Sequence, residues 1–275
     1  MNAMIVHHLI VRGRHMRVIE AGQGSPVLLL HGFTGSADSF RDLMVRMGSV
    51  FRVIAVDLPG HGGTESPHHE VPDTMDKVVR DLKEMLNQLA LPHVALLGYS
   101  MGGRIALAFA CEFPDTVNAL IMESASPGLP TEQERRERQQ QDEVLACQIE
   151  LHGVEAFIQQ WERNPLFLNH VRANPELAAE ERAMRLQQRP AGLASSLRGY
   201  GTGYQPSYWL RLRDVVCPVL LVTGCEDWKF TQLAQSMLSE FPNAEHVSIP
   251  CSGHTVHLEQ SKAFYETVVG FLLRV

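Results

Sequence analysis

No stretch of this 275-residue chain reaches the roughly 18 uninterrupted apolar residues that a bilayer-crossing helix needs. Its first residues, Met1-Asn-Ala-Met-Ile-Val-His-His8, lack the basic start and long apolar core of a secretion signal. Basic surface is missing as well. The formal net charge is −7 and the pI about 6.0, which argues against nucleic acid or an anionic membrane as partner. Lysine is scarce, with four against 20 arginines. The five cysteines (Cys111, Cys147, Cys217, Cys225 and Cys251) are odd in number, scattered, and form no C-x-x-C pair. Free thiols in a reducing cytoplasm are the simplest account. His254-x-x-His257 and His68-His69 have no third ligand at a recognisable spacing, so no metal site is expected. No internal repeat is visible.

What the chain has is length and apolar content enough for one substantial core with a smaller subdomain, at 45% hydrophobic residues. Short apolar runs alternate with amphipathic stretches, the pattern of a mostly parallel sheet covered by helices. Strands are expected near Ile5–Val11, Arg17–Ala21, Val27–His31, Arg52–Asp57, Val94–Gly98, Ala119–Glu123, Val219–Gly224 and Glu245–Ile249. Helices are expected over Asp38–Met47, Met75–Leu89, Met101–Phe113, Gln232–Glu240 and Leu258–Leu273. The first two strands, turning at Gly13-Arg14, read as an antiparallel hairpin on the sheet edge.

Between residues 128 and 212 the strand-like runs disappear. Glu, Gln and Arg dominate Glu132–Asp142, which reads mainly as solvated helix surface. Breaks fall at Asn164-Pro165, Asn174-Pro175 and Arg189-Pro190. The expected organisation is a core of residues 1–127 and 213–275. The insertion after the sixth strand would fold as a helical lid over the sheet's carboxyl edge.

Gly98-Tyr99-Ser100-Met101-Gly102 stands where a buried strand becomes a helix. A serine there sits on a sharp turn with its hydroxyl raised above the sheet, and the helix N-terminus behind it favours negative charge. Glycines at 98 and 102 remove side chains where strand and helix cross. A serine hydroxyl needs an imidazole to take its proton, and the imidazole needs a carboxylate to fix its tautomer. Asp227 follows the seventh strand and His254 the eighth, giving the chain order Ser100, Asp227, His254. Glu226 and Glu123 are rival acids; His257, one helical turn past His254, reads as a neighbour of the site or a surface group, with the role of base as its alternative.

Leu28-Leu-Leu-His31-Gly32-Phe33 ends another buried strand. The backbone N–H of Phe33, with that of Met101, would form a two-donor oxyanion site. His31 itself, and the turn Asp57-Leu-Pro-Gly-His-Gly62, read as structural. Arg104, four residues after Ser100, shares the pocket-facing side of its helix. A guanidinium there calls for an anionic partner. Ten arginines and no lysine between residues 128 and 212 lend weaker support.

These motifs resemble the α/β-hydrolase superfamily over nearly the whole chain: His31-Gly32, Asp57-Leu-Pro-Gly-His-Gly62, Gly98-Tyr-Ser-Met-Gly102, Asp227 and Gly253-His254. A narrower resemblance rests on Gly98–Arg104, Glu123-Ser-Ala-Ser-Pro-Gly128, Glu134-Arg-Arg-Glu-Arg138 and Trp161-Glu-Arg-Asn-Pro-Leu-Phe167. It continues through Leu197-Arg-Gly-Tyr-Gly-Thr-Gly203, Gln205-Pro206 and Glu226-Asp-Trp-Lys-Phe230. Together these stretches are similar to 2-succinyl-6-hydroxy-2,4-cyclohexadiene-1-carboxylate (SHCHC) synthase of menaquinone biosynthesis.

That resemblance implies a lyase. The triad would remove a proton from a cyclohexene precursor and expel pyruvate from its enolpyruvyl ether, with no water consumed and no cofactor. Serine, deprotonated by histidine, would be the base. The resemblance brings Arg104, Arg138 and Arg185 to a polyanionic substrate, with Arg135 or Arg136 alternative to Arg138, and Arg182 or Arg198 to Arg185. Tyr99, Trp161 and Phe167 would line the pocket. The residues alone leave open a carboxylesterase or carbon–carbon bond hydrolase with the same triad.

Overall fold

The computed structural model describes residues 4–65, 72–164 and 175–275. Among these, eight strands form one sheet in the order β1-β2-β4-β3-β5-β6-β7-β8. The strands are β1 (Ile5–Val11), β2 (Arg14–Ala21), β3 (Pro26–Leu30), β4 (Arg52–Val56), β5 (Val94–Tyr99), β6 (Val117–Glu123), β7 (Val219–Gly224) and β8 (Ala244–Ile249). β2 runs antiparallel to both β1 and β4, and the remaining pairs are parallel. The expected edge hairpin is present. Its turn is Arg12-Gly13, with φ of 49° and 83°, so β2 begins three residues earlier than its apolar run.

Alternation along the central strands sends side chains to two separate cores. Leu28, Leu30, Val94, Leu96 and Leu120 face one side, where α2 (Met75–Gln88) and α3 (Met101–Glu112) pack. Val27, Leu29, Ala95, Leu97 and Ile121 face the other. There they meet α1 (Arg41–Met47) and the C-terminal helix Ser261–Leu272. Both of these last helices are shorter than expected. A 3-10 turn, Ala37–Phe40, precedes α1, and a separate helical turn, Val256–Glu259, precedes the other. In the first case Ser36 caps the turn through a reciprocal bond with Ser39.

Between β6 and β7 lie α4 (Glu132–Trp161), α5 (Pro175–Arg185) and α6 (Pro190–Tyr200). α4 starts with a capping box in which Thr131 and Glu134 satisfy each other's backbone N–H. It breaks at Gly153, φ 79°, a break that the helical periodicity does not announce. α4 and α6 share a small core of their own around Ile149, Ile158 and Leu193. The insertion is pinned to the loops after β3 and β4. Gln188 donates to the Gly35 carbonyl and accepts from the Gly62 amide, and the Tyr200 hydroxyl donates to the Pro59 carbonyl.

Below those contacts, Asp57 organises its turn, accepting from the Ala37 and Gly63 amides (2.7 Å each) and from Arg17 (3.1 Å). His31 bridges the same loops: Nδ1 donates to the Gly32 carbonyl at 2.7 Å, and Nε2 accepts from the Leu58 amide at 3.0 Å. His61 stacks 5.1 Å from His31. Burial holds both imidazoles below the ordinary histidine range, His61 well below it with the nearby His31 charge adding to the effect.

This arrangement fixes a pH dependence of stability. As pH falls below about 6.5, the unfolded chain protonates these histidines while the folded chain keeps them neutral, so stability falls with pH. The expected slope is up to about 1.4 kcal/mol per pH unit for each histidine. Melting temperatures of the parent and of His61→Gln between pH 7.5 and 5 check this. The variant's slope should be the shallower, and parallel slopes would contradict it.

Candidate active site

The reactive groups follow β5, β7 and β8 on the carboxyl edge. Ser100 follows β5 and opens α3 with φ 50° and ψ −105°, a left-handed conformation that is strained for a serine. Its amide donates to the Glu123 carbonyl (2.8 Å), and its carbonyl accepts from the Arg104 amide (3.1 Å). The turn is possible because a Cβ on Gly98 would come within 2.3 Å of the Gly102 carbonyl oxygen. One on Gly102 would come within 1.9 Å of the Leu30 carbonyl oxygen.

Asp227 follows β7 and does two jobs. Oδ1 accepts from the Phe230 amide (3.3 Å), capping α7 (Trp228–Leu238), so this helix starts four residues before the expected Gln232. Oδ2 lies 2.6 Å from His254 Nδ1, and His254 Nε2 lies 3.1 Å from Ser100 Oγ. This is a continuous relay from hydroxyl to imidazole to carboxylate, with Asp227 and His254 both buried.

The rival acids and base are placed elsewhere. Glu226 is exposed. Glu123 faces His257, accepting from its amide (3.0 Å) and from Nδ1 (2.8 Å to Oε2). His257 is therefore a buried tie, not a surface group: through Glu123 it fastens the His254 loop to the strand end that holds the Ser100 amide.

Ser100 sits between two cavities. The larger, of about 410 Å³, is also bordered by Phe33, Met101, Trp161, His254, Arg104 and Arg138. Met101 is the first residue of α3, and Phe33 follows the His-Gly turn after β3. Neither amide donates a hydrogen bond to a described group, leaving both open toward an anion. Phe33 meets the rings of Phe157 and Trp161 edge to face, and those two rings lie tilted against each other, 5.3 Å apart. The smaller cavity, about 40 Å³, is bordered by Tyr99, Thr255, His257 and Arg185, and shares Phe33, Ser100 and Trp161 with the first. The Tyr99 hydroxyl lies 3.1 Å from Thr255 Oγ1, and burial pushes its phenol up, keeping it protonated.

The arginines separate into two kinds. Arg104 is buried and Nη1 donates to the Tyr200 carbonyl (3.1 Å) and to Gln205 Oε1. It forms no ion pair among the described residues. Burial and the neighbouring Arg138 pull its pKa down to about 10, which leaves it positively charged at neutral pH. Arg138 borders the same cavity with Nε 2.7 Å from Asp142 Oδ1. Asp142 is nearly fully buried, so the Glu132–Asp142 stretch is not wholly solvated surface. Arg185 borders only the smaller cavity, between Glu181 (3.6 Å) and Glu162 (3.9 Å). The alternatives are engaged away from both: Arg135 at the Leu129 carbonyl, Arg136 at Glu132, Arg182 at Glu162, and Arg198 at Glu143 and Glu150. Phe167 and His68-His69 lie outside the described residues.

Two neighbours of the site were not anticipated as such. Lys229 and Phe230 border the larger cavity, and the Phe230 ring packs 4.6 Å from that of His254. Their position just after the acid was the available signal, since Asp227 opens a helix whose first turn must lie beside the triad.

A mostly parallel sheet with Ser, Asp and His after its fifth, seventh and eighth strands defines an α/β hydrolase. The alpha/beta hydrolase fold family matches residues 25–261. A Bacillus subtilis protein named as a candidate SHCHC synthase is 42% identical over 249 residues, covering 90% of each chain. The SHCHC synthase of Escherichia coli O7:K1 is 30% identical over 247 residues, covering 87% of this chain and 92% of its own. The solved structure of MenH from S. aureus superposes with a TM-score of 0.89 at 34% identity, covering 94% of this chain and 98% of that one. The chain belongs to the alpha/beta hydrolase fold family and, within it, to the SHCHC synthases.

Proposed function

We infer that this chain is an SHCHC synthase, a carbon–oxygen lyase of menaquinone biosynthesis. Its substrate is a succinyl-enolpyruvyl-hydroxycyclohexene carboxylate, a polyanion. The observation that carries this reading is an acid–base relay opening on a cavity bordered by a buried arginine that forms no ion pair among the described residues. A buried cation with no carboxylate paired to it among the described residues is best satisfied by one that arrives with the ligand.

The chemistry follows from the groups in reach. His254 takes the Ser100 proton, and Asp227 holds the imidazole in the receptive tautomer. The Ser100 oxygen then removes a ring proton acidified by the neighbouring succinyl carbonyl. As negative charge spreads onto that carbonyl oxygen, the Phe33 and Met101 amides receive it. The electron pair moves into the ring to form the new double bond, and the ring carbon–oxygen bond breaks. Enolpyruvate leaves and takes up the proton held by His254 to become pyruvate, while Ser100 keeps the ring proton, so the relay is restored. No water is consumed and no cofactor is required.

Arg104 and Arg138 bind substrate carboxylates in the larger cavity, and Arg185 serves the smaller one. Tyr99 and Trp161 shape the walls beside the nucleophile. The helices between residues 128 and 212 act as a lid over the cytoplasmic enzyme's site. Supplying the enolpyruvyl precursor should give one pyruvate per SHCHC, with only feeble turnover of simple esters. Rapid ester hydrolysis without pyruvate release would replace this reading by a hydrolase.

A further inference from the structure

Gln205 belongs to a stretch whose sequence resembles the family, yet the chemistry above gives it no task. It is fully buried, 0% exposed. Its Oε1 accepts from Arg104 Nη1, the nitrogen that also donates to the Tyr200 carbonyl. Its own amide nitrogen, Nε2, has no partner.

Four arginines of this region are held by carboxylates: Arg138 by Asp142, Arg182 by Glu162, Arg185 by Glu181, and Arg198 by Glu143 and Glu150. Arg104 is held by two neutral acceptors. A glutamate at 205 would have the same length and reach. Its second oxygen would stand where Nε2 now has no partner, with no gain there, but the glutamate would give the buried cation a charged partner, which offsets the cost of burying the carboxylate. It would also cancel the charge that the cavity presents. The amide orients the guanidinium and leaves its charge available.

We propose that Gln205 is the positioning residue for Arg104, and that its being an amide rather than a carboxylate reserves the Arg104 charge for a carboxylate of the ligand. This builds on the polyanion reading above and adds a residue that touches no substrate. It also carries a signature that a merely structural residue lacks, because stability and ligand binding should move in opposite directions. Sites that need an uncompensated charge are where a protein forgoes stability for function.

The test compares the parent with Gln205→Glu and Gln205→Met. Tricarballylate, a simple tricarboxylate, is titrated calorimetrically alongside melting temperature and the kinetics of pyruvate release. Gln205→Glu is expected to melt at or above the parent temperature. It should bind tricarballylate about 10-fold or more weakly and lose kcat/KM by a similar factor, mainly through KM. Gln205→Met removes the anchor but not the charge, so it should melt lower and lose less binding than Gln205→Glu.

A Gln205→Glu variant that binds tricarballylate as well as the parent overturns the proposal. So does one whose melting temperature and binding fall together, or a parent indifferent to tricarballylate. A parent that binds tricarballylate Gln205-dependently yet releases no pyruvate would instead overturn the lyase reading and leave the role of Gln205 standing.

Discussion

Replacing Ser100 or His254 by alanine should lower pyruvate release by on the order of 10³-fold or more, because members of such a relay cannot act alone. The two share a 3.1 Å contact, and no other histidine among the described residues is bonded to the serine, His257 being committed to Glu123. Asp227→Asn should also be severe. An amide at 2.6 Å from Nδ1 offers the imidazole the wrong hydrogen-bonding partner and leaves Nε2 protonated toward the serine. Steady-state kcat on the enolpyruvyl precursor is the measurement. Near-normal turnover by Asp227→Asn, together with abolition by Glu226→Gln, would transfer the role to Glu226.

Arg104→Ala should cost about 2–5 kcal/mol of transition-state stabilisation, roughly 30-fold to several thousand-fold in kcat/KM. The size follows from burial: a charge pair formed away from water is far stronger than one at the surface. Arg104→Lys should recover only part, because an ammonium keeps the charge and loses the planar fork. The Gln205 and Tyr200 oxygens would lose their donor in the alanine variant, at about 1–3 kcal/mol of fold stability. The melting temperature therefore has to be followed in parallel. A neutral ester should be far less affected than the polyanion. Equal losses on both would make Arg104 a support of the fold and favour the esterase reading.

Much of this was legible in the residues because strands buried on both faces read as apolar runs. The ends of those runs, at Gly98 and Gly224, and of the more polar edge strand at Ile249, mark where reactive groups can stand. The order Ser100, Asp227, His254 then needs no knowledge of distances. What was not legible depends on partners remote in sequence. Arg104 meets Tyr200 and Gln205, 96 and 101 positions away, and no periodicity predicts a neutral anchor. The early start of α7 was hidden because Asp227 is both cap and acid. The burial of His257 was hidden for a related reason: its partner Glu123 ends a strand 134 positions earlier. Arg185, carried by resemblance alone, falls at the smaller cavity, between Glu181 and Glu162, partners that its sequence spacing does not reveal.

The Glu123 tie has a consequence for how this scaffold can be altered. Its backbone carbonyl holds the Ser100 amide, while its carboxylate holds His257 and with it the His254 loop. Serine and imidazole are thus gauged against a single residue at the end of β6, below the inserted helices. Grafting a different insertion between β6 and β7 would redraw which molecules are admitted without resetting the spacing of the proton relay. An engineer seeking a new specificity would keep the strand ends and shuffle what spans them; one who changes Glu123 would have to recalibrate the chemistry itself.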